Sequence, residues 1–341
     1  MANRTQLRLS VVEQSPVRKG GTGADALHET IELAKATEAM GYERFWVAEH
    51  HNIRTIASTS PEILIGQIGA ATSRIRIGSG GVMLPHYSAF KVAENFRMLE
   101  ILFPGRVDLG LGRAPGGDPR TASALAYPGT PNDVRAYPEQ VDDLIGFLGD
   151  RLPPEHAFAT LRPGPPTAGM PEVWLLGSGI DSAQLAAERG LPFSFAHFFG
   201  QAAIGPRVVD HYRQHFRPSR ECAEPSVHVA VQVMCAETQE EAEWHASSLK
   251  LGRIQMARNE KREGIVSPEE ASQHVFTPEE LRFLEQSGMR GTTGDPERVK
   301  REIEELAETY ATDQFGVVTI CYDFEARKRS YELVAEACLG G

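Results

Sequence analysis

Three titratable side chains stand together where an apolar run ends. Glu49, His50 and His51 directly follow the run at 45–48. Neighbouring residues of a strand point to opposite faces, so the two histidines cannot both face one site while the strand continues. Metal sites usually use His-x-His spacing, which the chain lacks, so no metal site is expected. The pattern favours one working histidine as an acid or base; the alternative is a histidine that only hydrogen-bonds Glu49 or a loop carbonyl.

The stretch GSGGVMLP, residues 78–85, is unusual for a strand. Interior glycines cost backbone entropy and offer no side chain to pack. One interpretation is that a flat ligand lies against the bare main chain there, where the peptide geometry is unusual. The other interpretation is a bulge or a corner of the sheet.

Arg113 follows another apolar run and is flanked by glycines in LGLGRAPGG. A guanidinium in that position could reach a phosphate held at the level of the backbone. The alternative is an ordinary ion pair with Asp118.

The stretch LLGSGIDS, residues 175–182, reads as a strand, a tight turn and the start of a helix. Free N–H groups and the helix dipole favour an anion at such a turn, and the hydroxyls of Ser178 and Ser182 could assist. The alternative is an ordinary N-cap formed by Asp181 or Ser182. No Gly-Lys-Ser/Thr follows, so the turn is not a P-loop.

Composition limits the kinds of partner. The 341 residues carry a net charge of −11, with 46 acidic against 35 basic residues, which argues against a nucleic-acid surface and against a polybasic membrane contact. The N-terminal stretch lacks a signal peptide, and no apolar run is long enough to span a membrane. We expect a cytoplasmic protein.

Short β-like runs alternate with amphipathic helical patterns along the whole chain, which is typical of parallel βα units. Eight strands are expected and predict a (β/α)8 barrel. A doubly wound sheet is less well supported, because EQSPVRKGGTG after the first strand does not fit a dinucleotide loop. We predict one domain over 1–341 with irregular insertions at about 113–171 and 250–290. The second insertion is either a mobile lid or a solvated helical excursion.

In such a barrel the carboxyl ends of the strands build the active site. The candidate residues all stand at predicted strand ends: 49–51, 80–81, 112–113, 177–178 and His197.

Four stretches together resemble the bacterial luciferase-like, flavin-dependent monooxygenase family, whose members are (β/α)8 barrels. These stretches are AEHHN, IGSGGVMLP, FPGRVDLGLGRAPGG and LLGSGIDSAQLAAERGLPFSFAHFF. GDPERVKREIEELA and ARKRSYELVAE near the C-terminus also fit. The matches span nearly the whole chain in the same order.

The resemblance implies roles for particular residues. The family's acid/base histidine beside the flavin falls on His50, with Glu49 and His51 orienting it or packing around it. The family's non-proline cis peptide beneath the flavin ring falls on Gly80 and Gly81. Its phosphate-binding groups fall on Arg113, Gly177, Ser178 and Ser182. Luciferase has an acidic residue where this chain has Gly177.

The resemblance also implies a function. We expect a monooxygenase that uses reduced FMN, supplied by a separate reductase, and O2 on a small organic substrate, and that forms a homodimer. One alternative is a deazaflavin-dependent oxidoreductase that transfers hydride. An alternative of another class is a non-catalytic flavin-binding protein.

Overall fold

The computed structural model of the protein describes residues 6–113, 117–166, 169–199, 202–286 and 291–340. The strands are β1 (Arg8–Glu13), β2 (Arg44–Val47), β3 (Arg76–Met83), β4 (Val107–Gly112), β5 (Glu172–Gly177), β6 (Phe193–Ala196), β7 (Val227–Cys235), β8 (Gly291–Gly294) and β9 (Gln314–Val318). The helices are α1 (Gly23–Ala39), α2 (Pro61–Ala71), α3 (Ala89–Leu102), α4 (Pro119–Ala126), α5 (Tyr137–Leu148), α6 (Ile180–Arg189), α7 (Gly205–His215), α8 (Gln239–Ala257), α9 (Pro268–Ser272), α10 (Pro278–Gln286), α11 (Pro296–Tyr310) and α12 (Phe324–Leu339).

Eight strands close a parallel barrel, which confirms the predicted (β/α)8 fold. Strands β1 to β7 pair in sequence order, and β9 closes the circle between β7 and β1. Strand β8 lies outside the circle and pairs with the last four residues of β7. The sequence did not identify β8, because its GTTG is half glycine and too short to show alternation.

Helices fill the two predicted insertions. The segment 113–171 contains α4 and α5, and the segment 250–290 contains the end of α8 together with α9 and α10. Backbone hydrogen bonds tie the second segment to the loop after β1: Lys19 N–H donates to Ile265 O and Ile265 N–H donates to Val17 O, both at 2.8 Å. The described residues of this segment therefore form a helical excursion. Its action as a lid stays a prediction, as does the assignment of 1–341 to one domain.

Local sequence signals fix the helix ends. Thr22 accepts from Asp25 N–H at 3.1 Å, and the Asp25 carboxylate accepts from Thr22 N–H at 2.8 Å, so the two form a capping box at the start of α1. Helix α6 ends at Gly190, whose φ of +59° favours glycine. A Cβ on Gly190 would also lie 2.3 Å from Arg217 O. The chain must therefore turn there at glycine, which directs it into β6.

A charged cluster occupies the barrel interior at the amino-terminal ends of the strands. The fully buried Asp108 accepts from Arg44 Nη1 at 2.7 Å, from Trp46 Nε1 at 2.8 Å and from Arg76 Nε at 2.9 Å. Glu172 lies 3.3 Å from Arg44 Nη1. Buried charges are tolerated only when paired and hydrogen-bonded, so Asp108 joins β2, β3 and β4 in one arrangement.

Aromatic rings fill the interior above this cluster. Trp46 and Trp174 pack edge to face with ring centroids 5.3 Å apart, and Val12, Ala230 and Val318 complete the cluster. The larger apolar core lies between the outer face of the barrel and the helices. Because Asp108 fixes the indole of Trp46, the charged cluster also fixes the side chain against which Gly80 packs.

None of the helices in the described ranges combines the length and the apolar character needed to cross a bilayer.

We predict that Asp108→Asn lowers the free energy of unfolding by about 3 kcal/mol, because it leaves Arg44 without its closest buried counter-charge. Urea unfolding monitored by circular dichroism measures this. The control is Asp133→Asn, which removes an exposed ion pair with Arg135 and should change the free energy of unfolding far less. Equal effects of the two substitutions would contradict the structural importance of Asp108.

Candidate active site

The residues predicted from the sequence lie at one end of the barrel. His50 follows β2, Gly80 and Gly81 lie near the end of β3, Arg113 follows β4, and Gly177 ends β5. These four strands are consecutive neighbours in the sheet, and all pair in parallel. Their carboxyl ends therefore form one rim, which we call the β2–β5 rim.

Glu49 is the centre of a hydrogen-bond network at this rim. The side chain is fully buried; Oε1 lies 2.7 Å from His51 Nε2 and accepts from the Tyr87 hydroxyl at 2.7 Å. Its other oxygen accepts from Met83 N–H at 3.0 Å. Burial first, and the nearby carboxylate second, raise the pKa of Tyr87. Glu49 thus attaches the loop after β2 to the end of β3.

His50 stands beside this network without joining it. Its backbone N–H donates to Ser58 O at 3.0 Å, and its buried Nδ1 has no hydrogen-bond partner among the described residues. Burial lowers the pKa of His50, the charge of Glu49 opposes this shift, and His51 adds to it. An imidazole held in this way is largely neutral at pH 7 and can exchange a proton at Nδ1.

The hydrogen bond of Glu49 distinguishes the two histidines of this stretch. The Glu49 carboxylate hydrogen-bonds His51 and not His50, so it does not orient the His50 ring directly. The interpretation that one histidine only hydrogen-bonds Glu49 therefore holds for His51. The reason is geometric, because adjacent side chains leave the backbone in opposite directions.

The Gly80–Gly81 peptide bond is cis, as the resemblance implied. The pairing of β3 with β4 also shifts register between Ser79 and Val82, so the expected bulge is present at the same place. A Cβ on Gly81 would lie 2.7 Å from Gly110 O, and one on Gly80 would lie 3.0 Å from Trp46 Cβ. Glycine is required at position 81 because the backbone of β4 lies so close, and a side chain at position 80 would be crowded by Trp46 Cβ. We call these two residues the diglycine platform.

Arg113 extends toward the start of α6. It is 44% exposed, and its Nη1 lies 3.3 Å from Asp181 Oδ2. The alternative interpretation, an ion pair of Arg113 with Asp118, is wrong. The Asp118 carboxylate instead accepts hydrogen bonds from the N–H groups of Arg120 and Thr121 at the start of α4 and from the Asn52 side chain. These hydrogen bonds, with that from the Thr121 hydroxyl first, lower the pKa of Asp118. Arg113 therefore pairs with Asp181, and not with Asp118, at the β4–β5 side of the rim.

The start of α6 differs from an ordinary capped helix. Its N-cap is Gly179, and no side chain forms a cap hydrogen bond, so the alternative of a cap by Asp181 or Ser182 is wrong. A Cβ on Gly177 would lie 2.3 Å from Ser182 Cβ. Ser182 thus packs directly on the last residue of β5, with Ser178 in the turn between them. Backbone N–H groups at such a helix start attract anions.

Sequence reasoning missed several residues. Tyr87 gave no signal, because its contact with Glu49 joins positions 38 residues apart. His228 is the second residue of β7 and is fully buried, with Nδ1 2.8 Å from the Ser194 hydroxyl and its ring 4.8 Å from that of Trp46. Alternation in VHVAVQV could have placed it on the inner face of β7. Burial lowers the pKa of His228 to about 3.

A cavity of about 810 Å³ opens on the other side of the barrel mouth. It is lined by residues of β7, β8, α8, α10 and α11, together with His197 after β6 and Ile320 after β9. His197 Nδ1 lies 2.8 Å from the Tyr310 hydroxyl. Apart from His197, none of the rim residues predicted from the sequence lines this cavity. Sequence reasoning could not foresee it, since its walls come from distant segments.

The described residues contain no group of three or more His, Cys, Asp or Glu side chains placed to hold a metal ion.

Comparisons with known proteins give the family. A family model described as luciferase-like monooxygenase matches residues 8–313. The N-acetyl-S-alkylcysteine monooxygenase of Bacillus subtilis (strain 168) is 37% identical over 98% of this chain and 98% of that protein. The luciferase-like monooxygenase of Escherichia coli (strain K12) is 34% identical over the full length of both. The crystal structure of apo-MsnO8 is 37% identical, with a TM-score of 0.88 over 97% of this chain and 98% of that chain.

We predict a pH dependence of stability from His228. Its pKa is about 3 in the folded protein and about 6.5 when unfolded, so between these values the unfolded chain binds the extra proton and stability falls as pH falls. From pH 7 to pH 5 this group should remove about 2 kcal/mol from the free energy of unfolding. Urea unfolding at pH 7 and at pH 5 measures this. The free energy of unfolding should differ less between the two pH values for His228→Gln than for the parent. Replacement of the exposed His28 serves as the control, and an unchanged slope in His228→Gln would refute the assignment.

Proposed function

The chain belongs to the luciferase-like monooxygenase family, whose members are flavin-dependent oxidoreductases, and on this basis we propose that it binds reduced FMN at the β2–β5 rim and oxygenates a small organic substrate. The observation that carries the proposal is the buried, unpartnered Nδ1 of His50 at the same rim as the cis Gly80–Gly81 peptide, on the neighbouring strand.

The diglycine platform suits a flat ring. A side chain cannot be accommodated at Gly81, where a Cβ would lie 2.7 Å from Gly110 O, so the main chain carries no side chain at these two positions. Trp46 lies beneath Gly80 and is itself held by Asp108. A planar ligand can approach bare main chain more closely than it could a surface of side chains, because no Cβ intervenes. The isoalloxazine of a flavin has the required shape.

The Arg113 side of the rim suits a phosphate. The guanidinium lies 3.3 Å from Asp181 in the first turn of α6, and the N–H groups of that turn lack a side-chain cap. A guanidinium and a helix start acting on one group can hold an anion on a protein of net charge −11. We assign the flavin phosphate to Arg113, Gly177, Ser178 and Ser182.

The proposed chemistry divides between the cofactor and the chain. Reduced flavin supplies the activation of molecular oxygen when bound. His50 exchanges a proton at Nδ1, and it can do so because burial keeps the imidazole neutral near pH 7. The buried Glu49, with Tyr87 and His51, fixes the backbone that carries His50. The apolar cluster of Trp46, Val12 and Trp174 below the platform keeps water out.

The proposal includes a separate reductase that supplies reduced FMN, and a homodimer. The deazaflavin-dependent oxidoreductase and the non-catalytic flavin-binding protein remain the competing functions, because the same platform and phosphate groups would serve each of them. They differ in the fate of oxygen: only the monooxygenase transfers an oxygen atom from O2 to the substrate.

We predict that Arg113→Gln lowers FMN affinity about 10-fold or more and leaves riboflavin affinity unchanged, because only FMN carries the phosphate. Fluorescence titration with oxidised and reduced FMN, riboflavin and a deazaflavin measures this. Arg120→Gln, which alters an exposed arginine on α4, is the control and should change neither affinity. If the parent binds FMN and riboflavin equally, the phosphate assignment fails; if it prefers the deazaflavin, hydride transfer replaces oxygenation.

We predict that His50→Ala retains FMN affinity and loses turnover by about 10²- to 10⁴-fold, because the proton at Nδ1 has no other carrier. Formation of oxygenated product with reduced FMN, assayed over a panel of small organic substrates, measures this against His215→Ala on the exposed face of α7. Unchanged oxygenation by His50→Ala would remove His50 from the mechanism.

A further inference from the structure

The cavity beside the barrel mouth has the dimensions of a small-molecule site. Its volume of about 810 Å³ lies within the range of about 300–1,000 Å³ that is typical of ligand pockets. Strands β7 and β8 form one side, and α8, α10 and α11 form the others.

The inner part of the cavity adjoins the diglycine platform through apolar residues. Ile320 lines the cavity and also packs on the cluster of Trp46 and Trp174. Trp46 lies directly beneath Gly80. Further apolar lining comes from Met234, Ala246, Leu249 and Leu306. A ligand in this cavity can therefore place an apolar part toward the platform.

Arg253 supplies a fixed cationic group in the wall. Its side chain is half-buried, and Nη2 donates to Gln232 Oε1 at 2.5 Å, so the guanidinium is held against β7. Burial, which removes part of the hydration of the guanidinium, lowers the pKa of Arg253. Lys250 lines the same cavity three residues earlier on α8, and this spacing places both side chains on one face of the helix.

Two of the three acidic residues that line the cavity lie farther toward solvent, and the third, Glu302, is half-buried. Glu285 and Glu305 are exposed, whereas Arg253 and Lys250 are half-buried. The carboxylate of Glu302 accepts from Arg298 Nε at 2.8 Å, which partly neutralises it. Charges interact more strongly where water is excluded, so the two cations dominate the inner wall.

We propose that Arg253, assisted by Lys250, binds the carboxylate of an anionic organic substrate whose apolar part extends past Ile320 toward the platform. This substrate class rests on the proposed function, since oxygenation at the platform requires the flavin there. A guanidinium binds a carboxylate through two parallel hydrogen bonds, and Gln232 orients it for this geometry. The two groups therefore select for a carboxylate over a neutral group of the same size.

Binding of hexanoate, hexanamide and hexylamine to the full chain tests the proposal. Isothermal titration calorimetry needs no turnover and can be run with and without FMN. Hexanoate should bind about 10-fold or more tightly than hexanamide, because the amide lacks the charge, and hexylamine should bind most weakly. This measurement needs only the parent protein. Equal affinities for hexanoate and hexanamide, or the absence of hexanoate binding, would overturn the proposal.

Variants locate the site. Arg253→Gln should lower hexanoate affinity about 10-fold or more, Arg253→Lys less, and neither should alter hexanamide binding. The control is Arg258→Gln at the end of the same helix, whose guanidinium pairs with Glu280 and does not line the cavity. If Lys250→Gln and Arg253→Gln both leave hexanoate affinity unchanged, the carboxylate binds elsewhere and the proposal fails.

Flavin titration separates this inference from the proposed function. Arg253→Gln should bind FMN as the parent does. If it weakens FMN instead of hexanoate, the cavity holds the flavin phosphate, and both the carboxylate site and the assignment to Arg113 are overturned. If FMN fails to bind the parent at all while hexanoate binding depends on Arg253, the proposed function fails and the anion site stands.

Discussion

The site depends on one buried carboxylate, Asp108, at the amino-terminal end of the barrel interior. It accepts hydrogen bonds from Arg44, Arg76 and the indole N–H of Trp46. Because a buried carboxylate must be paired and hydrogen-bonded, Asp108 holds β2, β3 and β4 together. The indole that it holds supports Gly80. The position of the diglycine platform therefore depends on Asp108, deep inside the barrel. Asp108 must stay paired with its arginines because water is excluded there.

A second buried carboxylate, Glu49, organises the rim in a different way. Its oxygens are occupied by His51, Tyr87 and the N–H of Met83, so the neighbouring His50 keeps a free Nδ1. The network positions His50 through the backbone alone. This arrangement holds the backbone of His50 in place and leaves the buried Nδ1 of its imidazole without a hydrogen-bond partner among the described residues.

The opposite walls of the barrel mouth have different chemical character. The β2–β5 rim presents bare backbone, one imidazole and a cationic approach to a helix start. The cavity at β7 and β8 presents apolar side chains with Arg253 and Lys250. A barrel can combine such different walls because each loop after a strand can vary in sequence independently, while the strands keep their carboxyl ends together. Cofactor and substrate can thus be recognised by separate sets of residues that meet above Trp46.

The sequence by itself determined the order of strands and helices, the barrel, and the strand ends that carry His50, Gly80, Gly81 and Arg113, because periodicity and glycine placement are local properties. Only the tertiary structure decided the partners: Asp181 for Arg113, His51 and Tyr87 for Glu49, and a helix start capped by no side chain. It also decided the short strand β8 and the cavity beside it. Such contacts join residues far apart in the chain, and their geometry follows from packing, which no local pattern encodes.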